Sequence, residues 1–232
     1  MSSDQPTGGP SPAAEQPGVP TGGLADRELP SGEERPDASL VRARGLPLLE
    51  ALERYAPGSR GHADAAATYA FAIAVELGLE RSRCELIREV ARLHEVGRLY
   101  VPVQLASQRR DQLEPHELEQ VEQSPAAAAE LARGAGVPED VCALILATQE
   151  RYDGLGPGGL RADAIPMAAR ISRAACTYQE VTERDTDTLP LPRNEPHARA
   201  VSELGRSSGS VLDPIVLEAL ARVVARAGVS TR

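Results

Sequence analysis

From Leu40 to the end of the chain, apolar residues recur three and four positions apart and never alternate over a useful length. Such a chain can hide its apolar surface only by stacking helix faces against one another. Leu46, Leu48, Leu49, Leu52 and Tyr55 place a first helix, interrupted near Pro47 because proline lacks the amide hydrogen that the helical ladder needs. After the Pro57-Gly58 turn, Ala66, Tyr69, Ala70, Ile73, Ala74 and Leu77 mark one face of a helix over about 62–77, ended by Gly78. The pattern continues over 82–95 with Ile87, Val90, Ala91 and His94, and over 115–133. Pro138-Glu139-Asp140 opens the next helix, another covers about 165–182, and Asp213-Pro214 starts the last. Trp is absent and Phe71 is the single Phe, so the core is built from Leu, Val, Ile and Ala. The expected fold class is all-α, a bundle of about seven helices.

Residues 1–39 differ in texture. They hold seven Pro and six Gly, with seven acids against Arg27 and Arg35, and are expected to be a disordered acidic tail ahead of a helical domain over 40–232. Residues 183–196, with three Pro and mixed charge, read as an exposed loop, and Asp153 to Gly159 form a glycine-rich loop. The net charge of -9 argues against general nucleic-acid binding. No run is long enough to span a bilayer, no signal peptide is visible, and Cys84, Cys142 and Cys176 form no C-x-x-C pair, so the expected compartment is the cytoplasm. Cys84 and Cys142 fall on apolar helix faces and read as core; His116 and His197 read as exposed.

His62 opens one expected helix and His94 closes another, with Glu95 beside it. On local features alone, such residues are helix caps or satisfied core groups. The wider order is more specific. His62, then His94-Glu95-Val96-Gly97-Arg98 leading to Val101-Pro102, then Glu150-Arg151-Tyr152-Asp153-Gly154-Leu155-Gly156, then Ile165-Pro166 with Ala169-Arg170-Ile171, and finally Val211-Leu212-Asp213-Pro214, resembles the HD-GYP family over about residues 48–225. Its members are HD-domain phosphodiesterases that hydrolyse cyclic di-GMP.

The resemblance implies an HD-type helical bundle and a site of two or three metal ions held by histidines and carboxylates. His62 and His94 match family ligands, and Glu95 stands where the family has Asp. Other positions depart: Ser124, Thr148 and Gln149 replace family histidines, Cys176 replaces the last ligand Asp, and Arg98 replaces a phosphate-side Lys. Hydroxyls and amides are poor ligands for the metals that imidazole and carboxylate hold. The expected function is therefore a non-catalytic regulatory module that binds a nucleotide or a protein partner, with no resident cofactor. The alternative is a residual metal-dependent phosphohydrolase whose single divalent ion (Zn, Fe or Mn) is held by His62, His94, Glu95 and Cys176, two imidazoles, a carboxylate and a thiolate being a competent set. Arg98, Arg151, Asp153, Gly154 and Gly156 are the candidate phosphate- or ligand-binding residues.

Overall fold

The structure is a computed structural model that describes residues 36–106, 112–188 and 195–229. Its α-helices are α1 (Ala38–Tyr55), α2 (Ser59–Glu76), α3 (Arg81–His94), α4 (Val103–Ala106), α5 (Pro115–Glu122), α6 (Ser124–Gly134), α7 (Glu139–Ala147), α8 (Met167–Thr188), α9 (Glu195–Gly205) and α10 (Pro214–Val229). Short 3-10 segments cover Glu95–Tyr100 and Ala162–Ala164, and no strand occurs among the described residues. The all-α expectation holds. The expected tail lies almost wholly outside the described residues, and α1 begins two residues before Leu40, with the Asp37 carboxylate accepting the Ser39 amide at 2.8 Å as its cap.

The bundle is organised around α2. Ala63, Ala66, Ala67, Ala70, Ile73 and Ala74 are fully buried on it, and side chains this small let α3 and α8 approach its backbone. At its far end Glu76 accepts from Arg222 Nε at 2.7 Å and also from Arg226, joining α2 to α10.

A second network ties α1, α2 and α3 together. Glu89 is almost completely buried and accepts from Arg42 Nε at 2.9 Å and from Arg92 NH1 at 2.9 Å, while Arg92 Nε donates to Asp64 at 2.8 Å. A cleft of about 260 Å³ lies between these helices, lined in part by Arg42, Arg60, Arg88 and Arg92. Each of those arginines has a carboxylate partner: Glu89, Asp64 and Glu85 take the charge between them.

Several expectations are corrected. Pro47 does not interrupt α1, which runs through it. Losing that backbone bond costs about 3 kcal/mol, but Leu49 and Leu52 are buried beyond it at about 1.5–3 kcal/mol each. Before it, Gly45 sits against Leu93 where a Cβ would overlap the leucine side chain. The packing outweighs the missing bond. The stretch 115–133 is two helices, because Pro125 has no amide hydrogen with which to continue α5, and its ring meets the preceding turn. The region 183–196 is not simply a loop either: α8 continues to Thr188 and α9 starts at Glu195. His197 is consequently on a helix and half-buried, with a ring nitrogen 2.6 Å from the Tyr178 hydroxyl. Cys84 and Cys142 are core and His116 is exposed, as expected.

The 3-10 turn after α3 is held against the start of α6 by Gly97. A Cβ there would overlap the carbonyl of Ser124, a backbone atom that cannot swing away. Gly97→Ala is expected to destabilise the fold by about 1–3 kcal/mol through overpacking, read as a lower urea midpoint at unchanged slope.

Candidate metal centre

Three helices bring the candidate ligands together. His62 lies in the first turn of α2, His94 is the last residue of α3, Glu95 opens the 3-10 turn that follows, and Cys176 sits midway along α8. Asp64 and Arg92 fall two residues from His62 and His94. Since i and i+2 lie on opposing sides of a helix, the Asp64–Arg92 pair fixes the α2–α3 register from outside while the histidines face inward.

Ligand atoms of His94, Glu95 and Cys176 all lie within 4.8 Å of one another. His62 meets this group through Glu95, with Nε2 3.3 Å from Oε1, and His94 Nδ1 stands 3.4 Å from the same oxygen. Glu95 is 3% exposed and His62 7%. Yet His62 Nε2, His94 Nδ1 and Glu95 Oε1 form no hydrogen bond among the described residues. Buried polar atoms are nearly always paired. Three unpaired ones converging from α2, α3 and the 3-10 turn fit a cation between them, and the donor set is one that zinc accepts.

Without metal, the same atoms hold charge as protons. Burial opposes an imidazolium at His62, but the hydrogen bond to Glu183 and the negative charges of Glu183 and Glu95 outweigh it and raise its pKa to about 10. Burial likewise opposes charge on His94, and Cys176 and Glu95 carry it well above its ordinary value. Glu95, despite its burial, is held well below the usual carboxylate range by the two histidines.

The partners of these groups were not legible in the sequence. His62 Nδ1 lies 2.5 Å from Glu183 Oε2, and the other Glu183 oxygen accepts from Gln179 Nε2 at 2.8 Å. Arg98 NH1 donates to Glu95 Oε2 at 3.4 Å. The Cys176 thiol points to the Ala91 carbonyl at 3.9 Å.

The three positions expected to differ from the family's histidines, Thr148, Ser124 and Gln149, have these surroundings. Thr148 spends its hydroxyl on the Ile145 carbonyl at 2.7 Å and offers its own carbonyl to Arg173 NH1 at 2.9 Å, one turn of α8 before Cys176. Ser124 is buried beneath Gly97, and Gln149 is half-buried just after Thr148.

The glycine loop is tied down from within. Arg151 pairs bidentately with Asp153 at 3.0 and 2.6 Å, and Asp153 also accepts the Leu155 amide. Buried Glu150 accepts the amides of Gly158 at 2.6 Å and Leu160 at 3.2 Å. Gly154 adopts φ +84°, and a Cβ on Gly156 would press on the Arg151 amide. Of the candidate ligand-binding residues, then, Arg151, Asp153, Gly154 and Gly156 shape this loop, and Arg98 touches the His94–Glu95–Cys176 cluster through Glu95.

The HD domain profile matches residues 48–216. The chain belongs to the HD-domain family. Among curated relatives it is 30% identical over 193 residues to the cyclic di-GMP phosphodiesterase response regulator RpfG of Xanthomonas campestris pv. campestris, covering 82% of this chain and 48% of that one. It is 28% identical over 111 residues to the cyclic di-GMP phosphodiesterase PdeB of Borreliella burgdorferi, covering 47% of this chain and 29% of that one. The chain thus spans under half the length of either. The fold is similar to that of Bd1817, an HDG"Y"P protein from Bdellovibrio bacteriovorus (TM-score 0.59, 20% identity, 81% of this chain and 63% of that one). It is also similar to the L. monocytogenes phosphodiesterase PgpH HD domain in complex with cyclic-di-AMP (TM-score 0.56, 15% identity, 80% and 98%). No helix among the described residues is long and apolar enough to cross a membrane.

The proton-filled cluster makes stability depend on pH. A folded pKa of about 10 at His62, above the unfolded value of about 6.5, means its stabilisation is fully present below pH 6.5 and lost as pH rises through about 10. Chelator-treated protein is therefore expected to melt at progressively lower temperature from pH 7 to 10, by about 2–4 °C per kcal/mol lost. Calorimetry on His62→Gln should show this basic limb flattened.

Proposed function

We propose that this chain is an HD-type phosphohydrolase acting on a phosphodiester of the cyclic-dinucleotide class through one divalent metal held by His94, Glu95 and Cys176, with His62 completing the set. The observation that carries this is the trio of buried, unpartnered ligand atoms of His62, His94 and Glu95 converging beside the Cys176 thiol. Other buried atoms, Arg83 Nε, Arg170 Nε and Ser172 Oγ among them, also lack hydrogen bonds among the described residues, but the three at this site are ligand-type atoms, the two imidazole nitrogens standing 3.3 and 3.4 Å from Glu95 Oε1. The kinship with curated cyclic di-GMP phosphodiesterases supplies the substrate class.

A bound divalent ion supplies Lewis-acid chemistry: it makes water a better nucleophile at neutral pH and offsets charge developing on the phosphodiester. The chain's own groups do the rest. Glu95 neutralises part of the ion's charge and is itself steadied by Arg98 on its outer oxygen. Arg98, 28% exposed at the rim, keeps a cationic guanidinium where an entering phosphate would need one. Burial of Glu95 and His62 keeps bulk water from competing for the ligand atoms.

Thr148 favours a second reading. A neutral hydroxyl is a poor ligand for the metals that imidazole and carboxylate hold, and this one donates to the Ile145 carbonyl, so a scaffold with an incomplete centre would bind a nucleotide or partner without turnover.

The experiment is to load chelated protein with zinc, manganese or iron and follow bis(p-nitrophenyl) phosphate and cyclic di-GMP. About one metal per chain is expected, with turnover that His94→Ala and Cys176→Ala reduce to background together with metal content. Gln149→Ala should leave metal content unchanged. A well-folded protein that takes up metal yet hydrolyses neither substrate would instead support the binding-module reading.

A further inference from the structure

Resting on the metal reading above, the geometry points to Glu183 as the positioning residue of the site: held by Gln179, it fixes the His62 ring so that Nε2 is the atom presented to the metal. An imidazole has two nitrogens, and a ring free to flip or change tautomer presents the wrong one for part of the time. Here the choice is made from outside. Glu183 Oε2 stands 2.5 Å from His62 Nδ1, and an ionised carboxylate can only accept, so Nδ1 keeps its proton whether the ring is charged or neutral and Nε2 is the nitrogen left to give up its proton to a metal. Nε2 is the atom 3.3 Å from Glu95 Oε1 and without a hydrogen-bond partner.

Glu183 is in turn aimed. Gln179, one turn earlier on α8, donates to Glu183 Oε1 at 2.8 Å, leaving Oε2 for the ring. Gln179 itself is mostly buried. One helix thus supplies the thiol ligand at Cys176 and the outer support of a ligand on another helix, so the spacing between Cys176 and Glu183 couples the two halves of the site. A carboxylate behind a ligating imidazole also raises its basicity, and loss of such a partner ordinarily weakens metal binding about 10–100-fold.

Cobalt(II) is the probe, because a thiolate ligand gives it a near-ultraviolet charge-transfer band that reports Cys176 separately from overall affinity. Full-length chelated wild type, Glu183→Ala and Glu183→Gln are titrated against a competing chelator of known affinity. Glu183→Ala is expected to bind cobalt about 10–100-fold more weakly while reaching the wild-type band at saturation. Glu183→Gln, whose amide oxygen can still accept from Nδ1, is expected to recover part of the loss. Equal affinity in all three proteins overturns the role of Glu183 and leaves the metal reading standing. Loss of the thiolate band in a folded variant overturns it too, since Glu183 would then be needed to assemble the helices rather than to orient one ring. Wild type that takes up no cobalt removes the metal reading and this inference together. Should Glu183→Ala fail to fold, the Glu183→Gln titration decides alone, with unaltered affinity and unaltered response to pH counting against the proposal.

Discussion

A carboxylate shut away from water is among the costliest things a fold can contain, and Glu95 is 3% exposed. Everything around it answers that cost. Two imidazoles flank one oxygen at 3.3 and 3.4 Å, a guanidinium approaches the other, and each imidazole is supported by a further group, Glu183 for His62 and Cys176 for His94. Because those groups come from α2, α3, the 3-10 turn and α8, compensating one buried charge dictates where four elements meet. The remaining helices hold these four in place.

The same logic operates at lower stakes on the outer side of α3. Glu89 is as buried as Glu95 but is satisfied by direct, well-aligned bonds from Arg42 and Arg92. The contrast is informative. At Glu89 the buried acid receives guanidinium donors on both oxygens. At Glu95 one oxygen also meets a guanidinium, Arg98, but the other faces imidazoles, groups that can give up a proton and become ligands, without a hydrogen bond to either.

Much of the fold could be read from spacing. The small-residue face of α2, the proline and acids that open α7, and the Asp213-Pro214 start of α10 specify their helices locally, and local signals survive in a sequence. Pro47 and the 183–196 stretch could not be read the same way. In the first, burial of Leu49 and Leu52 overrides a residue that on its own breaks helices. In the second, mixed charge and prolines disguise the end of α8. That second failure hid Glu183, since a residue assigned to an exposed loop is not considered as a partner for a histidine 121 positions away. His62, His94, Glu95 and Cys176 were findable because their order matches a family. The uses of Thr148, Arg151 and Asp153 were not, because hydrogen bonding within a turn leaves no mark that distinguishes it from ligand binding.

The bonds that close this molecule join the beginning of the chain to its end. Glu76 waits for Arg222, 146 residues later, and His62 waits for Glu183. At a synthesis rate of roughly 5–20 residues per second, the gap is on the order of ten seconds. During that interval α2 and α3 exist with an alanine face and a buried-to-be acid still open to solvent. The cluster is therefore assembled only once α8 has been made: a chain truncated before α8 retains His62, His94 and Glu95 but lacks both Cys176 and Glu183.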